Sequence, residues 1–215
     1  MKKILIVIPF GIGDALLTTP MVAALKEKFP AVTVSYLTSA KAALFLKNDS
    51  RLDKVFTYDR DEFVAVYRES PWKFLLKWRK FIRDLRSERF DAAFDLSLNA
   101  GIGFALRIAG IPRRIGYNHK GRGRFLTESV ALKGYANRHV AEHHFDLLRF
   151  VGIDQVPGDT KFCVSAQDKA WAGQFLSKNG LGEAAVIGFF LGGGASFGKG
   201  GEGRRWPPES YAQLA

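Results

Sequence analysis

A single carboxylate stands where a glycine turn meets a predicted helix near the amino terminus. The turn reads Gly11-Ile12-Gly13-Asp14 and follows residues 3–9, a short apolar run rich in β-branched residues. Such a run is typical of a strand buried on both faces of a parallel sheet. A turn after such a strand lies at the carboxyl end of the sheet, where open α/β sheets bind ligands. Asp14 is therefore a candidate general base that takes a proton from a bound hydroxyl group.

The same turn admits two other interpretations. Aspartate also caps helix N-termini, because its oxygen accepts an unpaired backbone N–H and its charge suits the helix dipole, and the spacing alone favours this role for Asp14. Gly11 and Gly13 let a ligand approach the backbone closely and match half of a dinucleotide-binding fingerprint. Leu16 occupies the third glycine position of that fingerprint. The pattern therefore argues against a nicotinamide cofactor and leaves both glycines as candidate substrate-binding residues.

Two neighbouring hydroxyl groups follow in the same helical stretch. Thr18 and Thr19 precede Pro20, which lacks an N–H and interrupts the hydrogen bonds of a helix. Threonine hydroxyls bind sugars and phosphates, and they also bond to nearby backbone groups of a helix. We predict substrate binding for Thr18 and Thr19, with a cap or kink beside the proline as the alternative.

A second glycine-rich segment occupies residues 192–203. Its first part matches the G-x-x-x-x-G-K of a P-loop, but Gly200 stands where a P-loop requires serine or threonine. A looser anion-binding loop fits better, because backbone N–H groups and basic side chains at the start of a helix attract anions. We predict that Ser196, Arg204 and Arg205 bind such an anionic group.

Five basic residues fall within residues 113–124, which contain no acidic residue. A loop with this composition repels itself, which favours an anionic partner. A merely solvated loop is the alternative. The residues that we predict to bind anionic groups of a substrate are Arg113, Arg114, Lys120, Arg122 and Arg124.

The overall charge also favours an anionic partner. The 215 residues carry a formal net charge of +11, and the sequence pI is about 9.8. Nucleic acid, a membrane surface and a phosphorylated glycolipid all attract such a protein. The sequence has no recognised nucleic-acid-binding motif, and its aromatic residues follow apolar patterns rather than exposed rows. We therefore predict no nucleic-acid partner.

Few residues indicate a metal site or a disulfide. His139 and His143 have the i, i+4 spacing of a metal-binding pair, but no third ligand of suitable spacing accompanies them. We predict that they lie on a solvated helix face, and we assign no metal ligand. Cys163 is the one cysteine, which excludes an internal disulfide and fits a reducing compartment.

Strand-like and helical patterns alternate along the chain and must position these side chains. The alternation predicts an α/β fold with a Rossmann-like parallel sheet and helices on both faces. Strands are predicted at residues 3–9, 32–37, 53–58, 91–96 and 113–117. Helices are predicted at residues 15–29, 39–47, 71–88, 99–109, 137–151 and 166–179.

The pattern predicts one complete domain and the start of another. Residues 1–160 form the first domain, and residues 161–180 form a linker with a connecting helix. Residues 181–215 contain an apolar run at 184–191, interpreted as a buried strand, and then the start of a helix. One strand and part of a helix cannot bury their own apolar faces. We therefore interpret residues 181–215 as the first β-α unit of an incomplete second domain.

Five segments together resemble glycosyltransferase family 9, the heptosyltransferases. The opening signature runs from the first apolar run through the helix that follows Pro20, and the R-R-W-P segment lies near the end of the sequence. These two are specific in combination. The segments that carry the resemblance are residues 4–30, 89–96, 113–117, 139–150 and 204–207.

The resemblance implies a GT-B fold, with two Rossmann-like domains, and an inverting glycosyl transfer. Heptose would move from a nucleotide-diphosphate sugar, ADP-heptose, to the anionic inner core of lipopolysaccharide. Asp14 matches the proposed base of the family, and Arg204 matches a basic residue that holds the donor diphosphate. The donor nucleoside would bind mostly to the second domain, so we expect the 215-residue chain alone to be weakly active or inactive.

The apolar and basic segments also suggest where in the cell the protein acts and what other function it could have. No apolar stretch approaches the roughly 20 residues that span a bilayer, and we expect a cytoplasmic protein with peripheral contact to the inner membrane. Residues 68–89 mix basic and aromatic side chains, so they form either a helix that packs on the sheet or one that also meets a membrane. The alternative to an enzyme is a non-catalytic module that binds an anionic glycolipid or a membrane.

Overall fold

The computed structural model describes residues 1–135, 138–182, 185–190 and 206–214. The chain divides into two units, of which the first comprises residues 1–164 and the second begins at Ser165.

Six strands form one parallel sheet in the first unit. Their order across the sheet is β3-β2-β1-β4-β5-β6, and each pair of neighbours is parallel. The first five lie where the sequence predicts strands. The strands are β1 (Lys3–Ile8), β2 (Thr33–Thr38), β3 (Leu52–Thr57), β4 (Ala92–Asp95), β5 (Arg113–Asn118) and β6 (Glu128–Ala131).

Helices follow most of the strands. A 3-10 turn, Leu147–Val151, continues directly from α7. The helices of the first unit are α1 (Ile12–Leu16), α2 (Thr19–Lys28), α3 (Ala40–Leu46), α4 (Arg60–Glu69), α5 (Pro71–Ser87), α6 (Ala100–Ile108) and α7 (Val140–Asp146). Those described in the second unit are α8 (Ala166–Lys178) and α9 (Pro208–Leu214).

The central strand β1 is buried on both faces. Ile4, Ile6 and Ile8 pack into one core cluster with residues of α2, α3 and α7. Leu5 and Val7 pack into a second cluster with residues of α5 and α6. Since successive side chains of a strand point to opposite faces, this split explains the continuous apolar run. The predicted Rossmann-like sheet with helices on both faces is confirmed.

The strand order creates a switch point between β1 and β4. From β1 the chain moves outward to β2 and β3, and from β4 it moves in the opposite direction to β5 and β6. The segments that leave these two neighbouring strands therefore diverge to opposite faces of the sheet. In such sheets the carboxyl ends of the diverging strands border the crevice that binds ligands.

Two predicted helices are each divided. The helix predicted at 15–29 consists of α1 and α2, which meet at Leu17 and Thr18. Pro20 lies in the first turn of α2, where its missing N–H costs no helical hydrogen bond, so the new helix begins there. The helix predicted at 137–151 is α7 followed by the 3-10 turn.

The sequence patterns do not predict helix α4 or strand β6. Helix α4 begins after Asp59, whose carboxylate accepts hydrogen bonds from the N–H groups of Asp61 and Glu62. Strand β6 reads E-S-V-A and alternates between half-buried and exposed residues. It therefore lacks the continuous apolar run that marks the central strands.

The described part of the run at 184–191 is not a strand. Residues 185–190 have no regular secondary structure, and Ile187 and Phe190 are 82% and 90% exposed. A strand is stabilised by the hydrogen bonds of a neighbouring strand, and no described strand pairs with this segment. No helix among the described residues is long and apolar enough to cross a membrane.

Candidate functional site

Asp14 lies at the carboxyl edge of the sheet, in the first turn of α1. Its Oδ2 accepts a hydrogen bond from the backbone N–H of Gly11 at 3.1 Å, so the carboxylate caps the helix as the spacing favours. Its Oδ1 has no hydrogen-bond partner among the described residues, and the side chain is exposed. One oxygen thus caps the helix while the other is available to a ligand.

The backbone beside Asp14 is open. A Cβ built on Gly13 would have no heavy atom within 4 Å, whereas one on Gly11 would lie 3.4 Å from Oδ2 of Asp14. The turn therefore leaves free space at Gly13, where a bound hydroxyl group can reach the carboxylate. A general base needs open access of this kind, so that a hydroxyl group can come within hydrogen-bond distance of the carboxylate.

Tyr135 is a neighbour of Asp14 that the sequence did not single out. Burial raises the pKa of its hydroxyl, and the negative charge of Asp14 raises it further. Its ring meets the ring of His143 edge-on, with 5.2 Å between the centroids. Tyr135 follows β6 and lies far from Asp14 in the sequence, so no local pattern reveals that the two are near each other.

The α1–α2 turn rests on a buried histidine. His144 is 3% exposed, and burial lowers the pKa of its imidazole to about 4, while a hydrogen bond to the carbonyl of Leu17 acts in the opposite direction. The side chain is thus neutral near pH 7 and joins α7 to the turn that follows Asp14. The prediction of a solvated histidine face is wrong for His143, whose side chain is only 12% exposed. Among the described residues, no three His, Cys, Asp or Glu side chains are grouped to hold a metal ion.

Thr18 and Thr19 are fully buried in the same turn. The Thr18 hydroxyl donates to the carbonyl of Ala15 at 2.7 Å and lies 3.0 Å from the hydroxyl of Tyr36. The Thr19 hydroxyl donates to the carbonyl of Leu16 at 2.8 Å. Both hydroxyls are bonded within the protein, which is the structural alternative to substrate binding.

Asp95 ends β4, beside the switch point, and is buried. Its Oδ1 accepts a hydrogen bond from the backbone N–H of Ser97 at 2.9 Å. Burial raises the pKa of this carboxyl to about 6, against the effect of the hydrogen bonds from Ser97. The cap of α6 is Asn99, which accepts a hydrogen bond from the N–H of Gly101 at 2.8 Å. Asp95 therefore shapes the turn after β4.

The structure divides the basic cluster between two edges of the sheet. Arg113 pairs in register with Ala92, the first residue of β4, so it lies at the amino edge, opposite to Asp14. Its guanidinium forms a two-pronged ion pair with Glu128, with distances of 2.9 and 2.8 Å, and also donates to the carbonyl of Phe150. The structure therefore does not bring Arg113 to the predicted site.

Arg114 is bonded to the backbone at the same amino edge. Its guanidinium donates to the carbonyl of Phe125 at 2.7 Å and to the carbonyl of Ile111. Burial lowers the pKa of this side chain, and the nearby charge of Arg107 lowers it further. The function of Arg114 in this structure is to hold the chain around β5, away from Asp14.

The remaining cations belong to the loop that leaves the carboxyl end of β5. Lys120 is exposed, with φ of 52°, and the guanidinium of Arg122 lies 3.4 Å from the carbonyl of Leu98, just after β4. Arg124 stacks on the ring of Phe125 at 4.8 Å. A Cβ on Gly123 would lie 2.9 Å from the Asn118 side chain, so the tight return of this loop requires glycine. Lys120 and Arg122 thus share the carboxyl edge with Asp14.

The predicted diphosphate-binding residues Ser196, Arg204 and Arg205 lie outside the described residues. The neighbouring Trp206 is described, and its ring meets that of Tyr211 edge-on, with centroids 4.8 Å apart. Trp206 thus packs against helix α9.

A comparison of the sequence with protein families decides the relationship. The model of glycosyltransferase family 9 (heptosyltransferase) matches residues 78–215, more than half of the chain. The chain belongs to glycosyltransferase family 9. A curated relative, lipopolysaccharide heptosyltransferase 2 of Escherichia coli (strain K12), is 26% identical over 220 residues, which cover 99% of this chain and 59% of the relative.

Solved structures of the family share the fold. The glycosyl transferase family 9 protein of Veillonella parvula DSM 2008 superposes with a TM-score of 0.78 at 20% identity, covering 100% of this chain and 59% of its own. The ADP-heptose lps heptosyltransferase II of E. coli gives 0.68 at 21% identity, covering 100% and 60%. An E. coli heptosyltransferase with ADP-2-deoxy-2-fluoro heptose gives 0.67 at 16%, covering 99% and 64%. This family 9 chain therefore spans about three fifths of the length of these relatives.

Proposed function

We propose that this family 9 chain is the acceptor-binding part of an inverting heptosyltransferase that transfers heptose from ADP-heptose to the lipopolysaccharide inner core. The observation that carries the proposal is the position of Asp14. Its carboxylate stands at the carboxyl edge beside the β1–β4 switch point, with one oxygen free and open space at Gly13. The heptosyltransferase relatives in sequence and in structure support the choice of sugar.

The proposed reaction is a single displacement. The acceptor hydroxyl gives its proton to Asp14 as its oxygen bonds to the anomeric carbon of the donor sugar. The bond from that carbon to the donor diphosphate breaks, and the diphosphate leaves with the electron pair. Attack from the face opposite the leaving group inverts the anomeric centre.

Charged residues complete the proposed site. Lys120, Arg122 and Arg124 hold the anionic groups of the acceptor, while Ser196, Arg204 and Arg205 stabilise the departing diphosphate. Gly11 and Gly13 give the acceptor access to the base. Thr18 and Thr19 act indirectly, by fixing the turn that carries Asp14. Arg113 and Arg114 have no part in this site.

The proposal includes a cytoplasmic enzyme at the inner face of the inner membrane, where the acceptor is anchored. Because the relatives are longer, we expect little or no transfer by the 215-residue chain alone. Turnover by this purified chain at a rate comparable to that of the longer relatives would contradict that expectation.

The test is a transfer assay with ADP-heptose and a heptose-free core acceptor. It uses the gene extended through any downstream reading frame, beside an Asp14→Asn variant. Asparagine can still accept the hydrogen bond from Gly11, so the variant keeps the cap and loses only the base. Transfer that disappears in the variant, with acceptor binding retained, supports the proposal, whereas equal transfer by both proteins rejects Asp14 as the base.

A non-catalytic glycolipid-binding module is the second candidate. The cap formed by Asp14 and the exposed side chain of Lys120 are both compatible with binding alone. This candidate predicts acceptor binding without transfer from any nucleotide sugar, and it predicts that Asp14→Asn leaves the cellular role intact. A screen of donor sugars with the extended protein separates the two candidates.

A further inference from the structure

Helices α4 and α5 form a hairpin whose outer surface at the turn is apolar and exposed. We call residues 64–80 the hairpin tip. Trp72 and Leu76 are 67% and 52% exposed, although both are large apolar residues. Ser70 ends α4 and begins α5, so the two helices meet without a connecting loop. The exposed apolar side chains of the tip are Val64, Tyr67, Trp72, Leu75 and Leu76.

The side chains on the inner surface of the hairpin already pack against one another. Phe63 is buried and contacts the rings of Phe74, Trp78 and Phe81 at centroid distances of 6.3, 6.3 and 5.8 Å. These aromatic residues join α4 to α5 and to the sheet. The exposed side chains of the tip are therefore not needed for the core.

The tip is also strongly basic. It carries five basic residues and one acidic residue; Glu69 pairs with Lys73, while Lys77 and Lys80 pair with Glu62 and Asp84 just outside the tip. Arg68 and Arg79 are exposed and form no ion pair with any carboxylate that the structure describes. Basic side chains around exposed tryptophan and leucine are typical of helices that lie in the interface of an anionic membrane. The basic residues of the tip are Arg68, Lys73, Lys77, Arg79 and Lys80.

Two contacts fix where the tip lies relative to the sheet. Glu88, just after α5, pairs with Lys3 and Lys54 in the first halves of β1 and β3, so α5 ends at the amino edge. Phe81 contacts Tyr58, immediately after the carboxyl end of β3, at 5.8 Å between centroids. The ten residues of α5 that precede Phe81 span about 15 Å of helix. The tip therefore projects past the edge that carries Asp14.

We propose that the hairpin tip docks the protein on an anionic phospholipid bilayer, with Trp72, Leu75 and Leu76 in the interface and the basic side chains on lipid phosphates. The docking itself needs no catalysis. Its purpose rests on the proposed function, since a tip beyond the carboxyl edge turns Asp14 toward the surface in which a lipid-anchored acceptor sits.

Co-sedimentation with vesicles tests the docking. The probes are vesicles of phosphatidylethanolamine with phosphatidylglycerol and, as the neutral comparison, vesicles of phosphatidylcholine. We expect binding to the anionic vesicles that weakens as salt increases, and at least about tenfold weaker binding by the Trp72→Ala, Leu76→Ala double variant. Leu44→Ala is the matched control, because Leu44 is 71% exposed on α3, away from the tip. Equal binding to both kinds of vesicle, or an equal loss in the control, overturns the proposal.

A charge pair of variants tests the electrostatic part. Arg68→Gln with Arg79→Gln removes two cations of the tip, and Lys41→Gln with Lys47→Gln removes one exposed cation of α3 and one immediately after it. Each cation near an anionic surface contributes about a fivefold change in partition, so we expect about a 25-fold loss for the first pair. We expect little change for the second. Equal losses for both pairs show non-specific attraction and overturn the assignment to the tip.

Fluorescence provides a test that does not depend on the alanine variants, which could fold poorly. Brominated lipids quench tryptophan that enters the bilayer, and we expect quenching that Trp72→Phe removes. Quenching that Trp72→Phe leaves unchanged overturns the proposal. The Asp14→Asn variant should bind vesicles like the native protein, so equal transfer by the two proteins, with vesicle binding retained in both, rejects only the proposed reaction.

Discussion

The two edges of the sheet use charge differently. At the amino edge, Glu88 pairs with Lys3 and Lys54, and Lys54 is the main cause of its lowered pKa. Arg113 pairs there with Glu128. At the carboxyl edge, Asp14 and Lys120 are exposed, and one oxygen of Asp14 has no partner among the described residues. Charges that neutralise one another stabilise the fold, whereas charges left open to solvent are available to a ligand.

Among the substitutions that test this difference between the edges, Asp14→Asn should have the largest effect. Removing a general base typically costs about 100- to 10,000-fold in rate. We expect a loss of that size in the transfer rate of the extended protein, with a change in unfolding free energy below about 0.5 kcal/mol, because asparagine keeps the cap. Steady-state kinetics and chemical denaturation measure the two quantities.

Glu128→Gln is the matched carboxylate at the amino edge. It should reverse the pattern, lowering stability while leaving transfer unchanged. A rate loss in Glu128→Gln equal to that of Asp14→Asn would show that the two edges do not differ as proposed.

The buried layer behind the carboxyl edge makes stability depend on pH. The pKa of His144 is about 4 when folded, below the ordinary value of 6.5, so the unfolded chain binds the extra proton between these values. Its contribution is complete above pH 6.5 and is lost as the pH falls toward 4, by about 3 kcal/mol. Urea denaturation across this range measures the loss, and His144→Leu should remove it.

Asp95 acts with the opposite sign. Its folded pKa of about 6 lies above the ordinary 3.8, so it favours the folded state below pH 3.8, and this contribution is lost as the pH rises through 6. Asp95→Asn should therefore raise stability above pH 7, by about 3 kcal/mol, and should have little effect near pH 4. If the variant is less stable at pH 8, the hydrogen bond from Ser97 outweighs the burial of the charge.

The cations of the loop after β5 provide a smaller test. Lys120→Gln and Arg122→Gln should each weaken acceptor binding about tenfold, because each removes a charge-assisted hydrogen bond to an anionic group. Arg114→Gln is the comparison, and it should leave acceptor affinity unchanged. Calorimetry with a soluble core oligosaccharide measures the affinities. A uniform loss in all three variants would indicate general attraction by net charge rather than a site at one edge.

The sequence predicts the central sheet well because its strands are continuous apolar runs. It also predicts the positions of the glycine turn and of Asp14, since both lie within one strand-to-helix connection. A strand predicted at 113–117 is already enough to separate Arg113 from Lys120, because about five strand residues span roughly 17 Å. Because the five basic residues lie close together in the sequence, they are predicted to bind one substrate together.

Other parts of the site depend on packing that no local pattern encodes. Tyr135 and His144 approach the α1–α2 turn only because α7 returns to it after β6. The hydroxyl of Thr18 is hydrogen-bonded to the hydroxyl of Tyr36, which lies in strand β2 and is distant in sequence. Ser196, Arg204 and Arg205 stay predictions from the sequence, since they lie outside the described residues.

Arg113→Lys is the smallest effect that separates the two edges. The guanidinium holds both oxygens of Glu128 and the carbonyl of Phe150, which a lysine ammonium cannot reproduce from one point. The pair is partly exposed and screened, so we expect a loss of about 1 kcal/mol in unfolding free energy. Arg124→Lys should cost less than about 0.5 kcal/mol, because Arg124 is itself exposed and stacks on a single ring. If Arg113→Lys instead weakens acceptor binding at unchanged stability, the amino edge takes part in recognition. The proposed difference between the two edges would then be wrong.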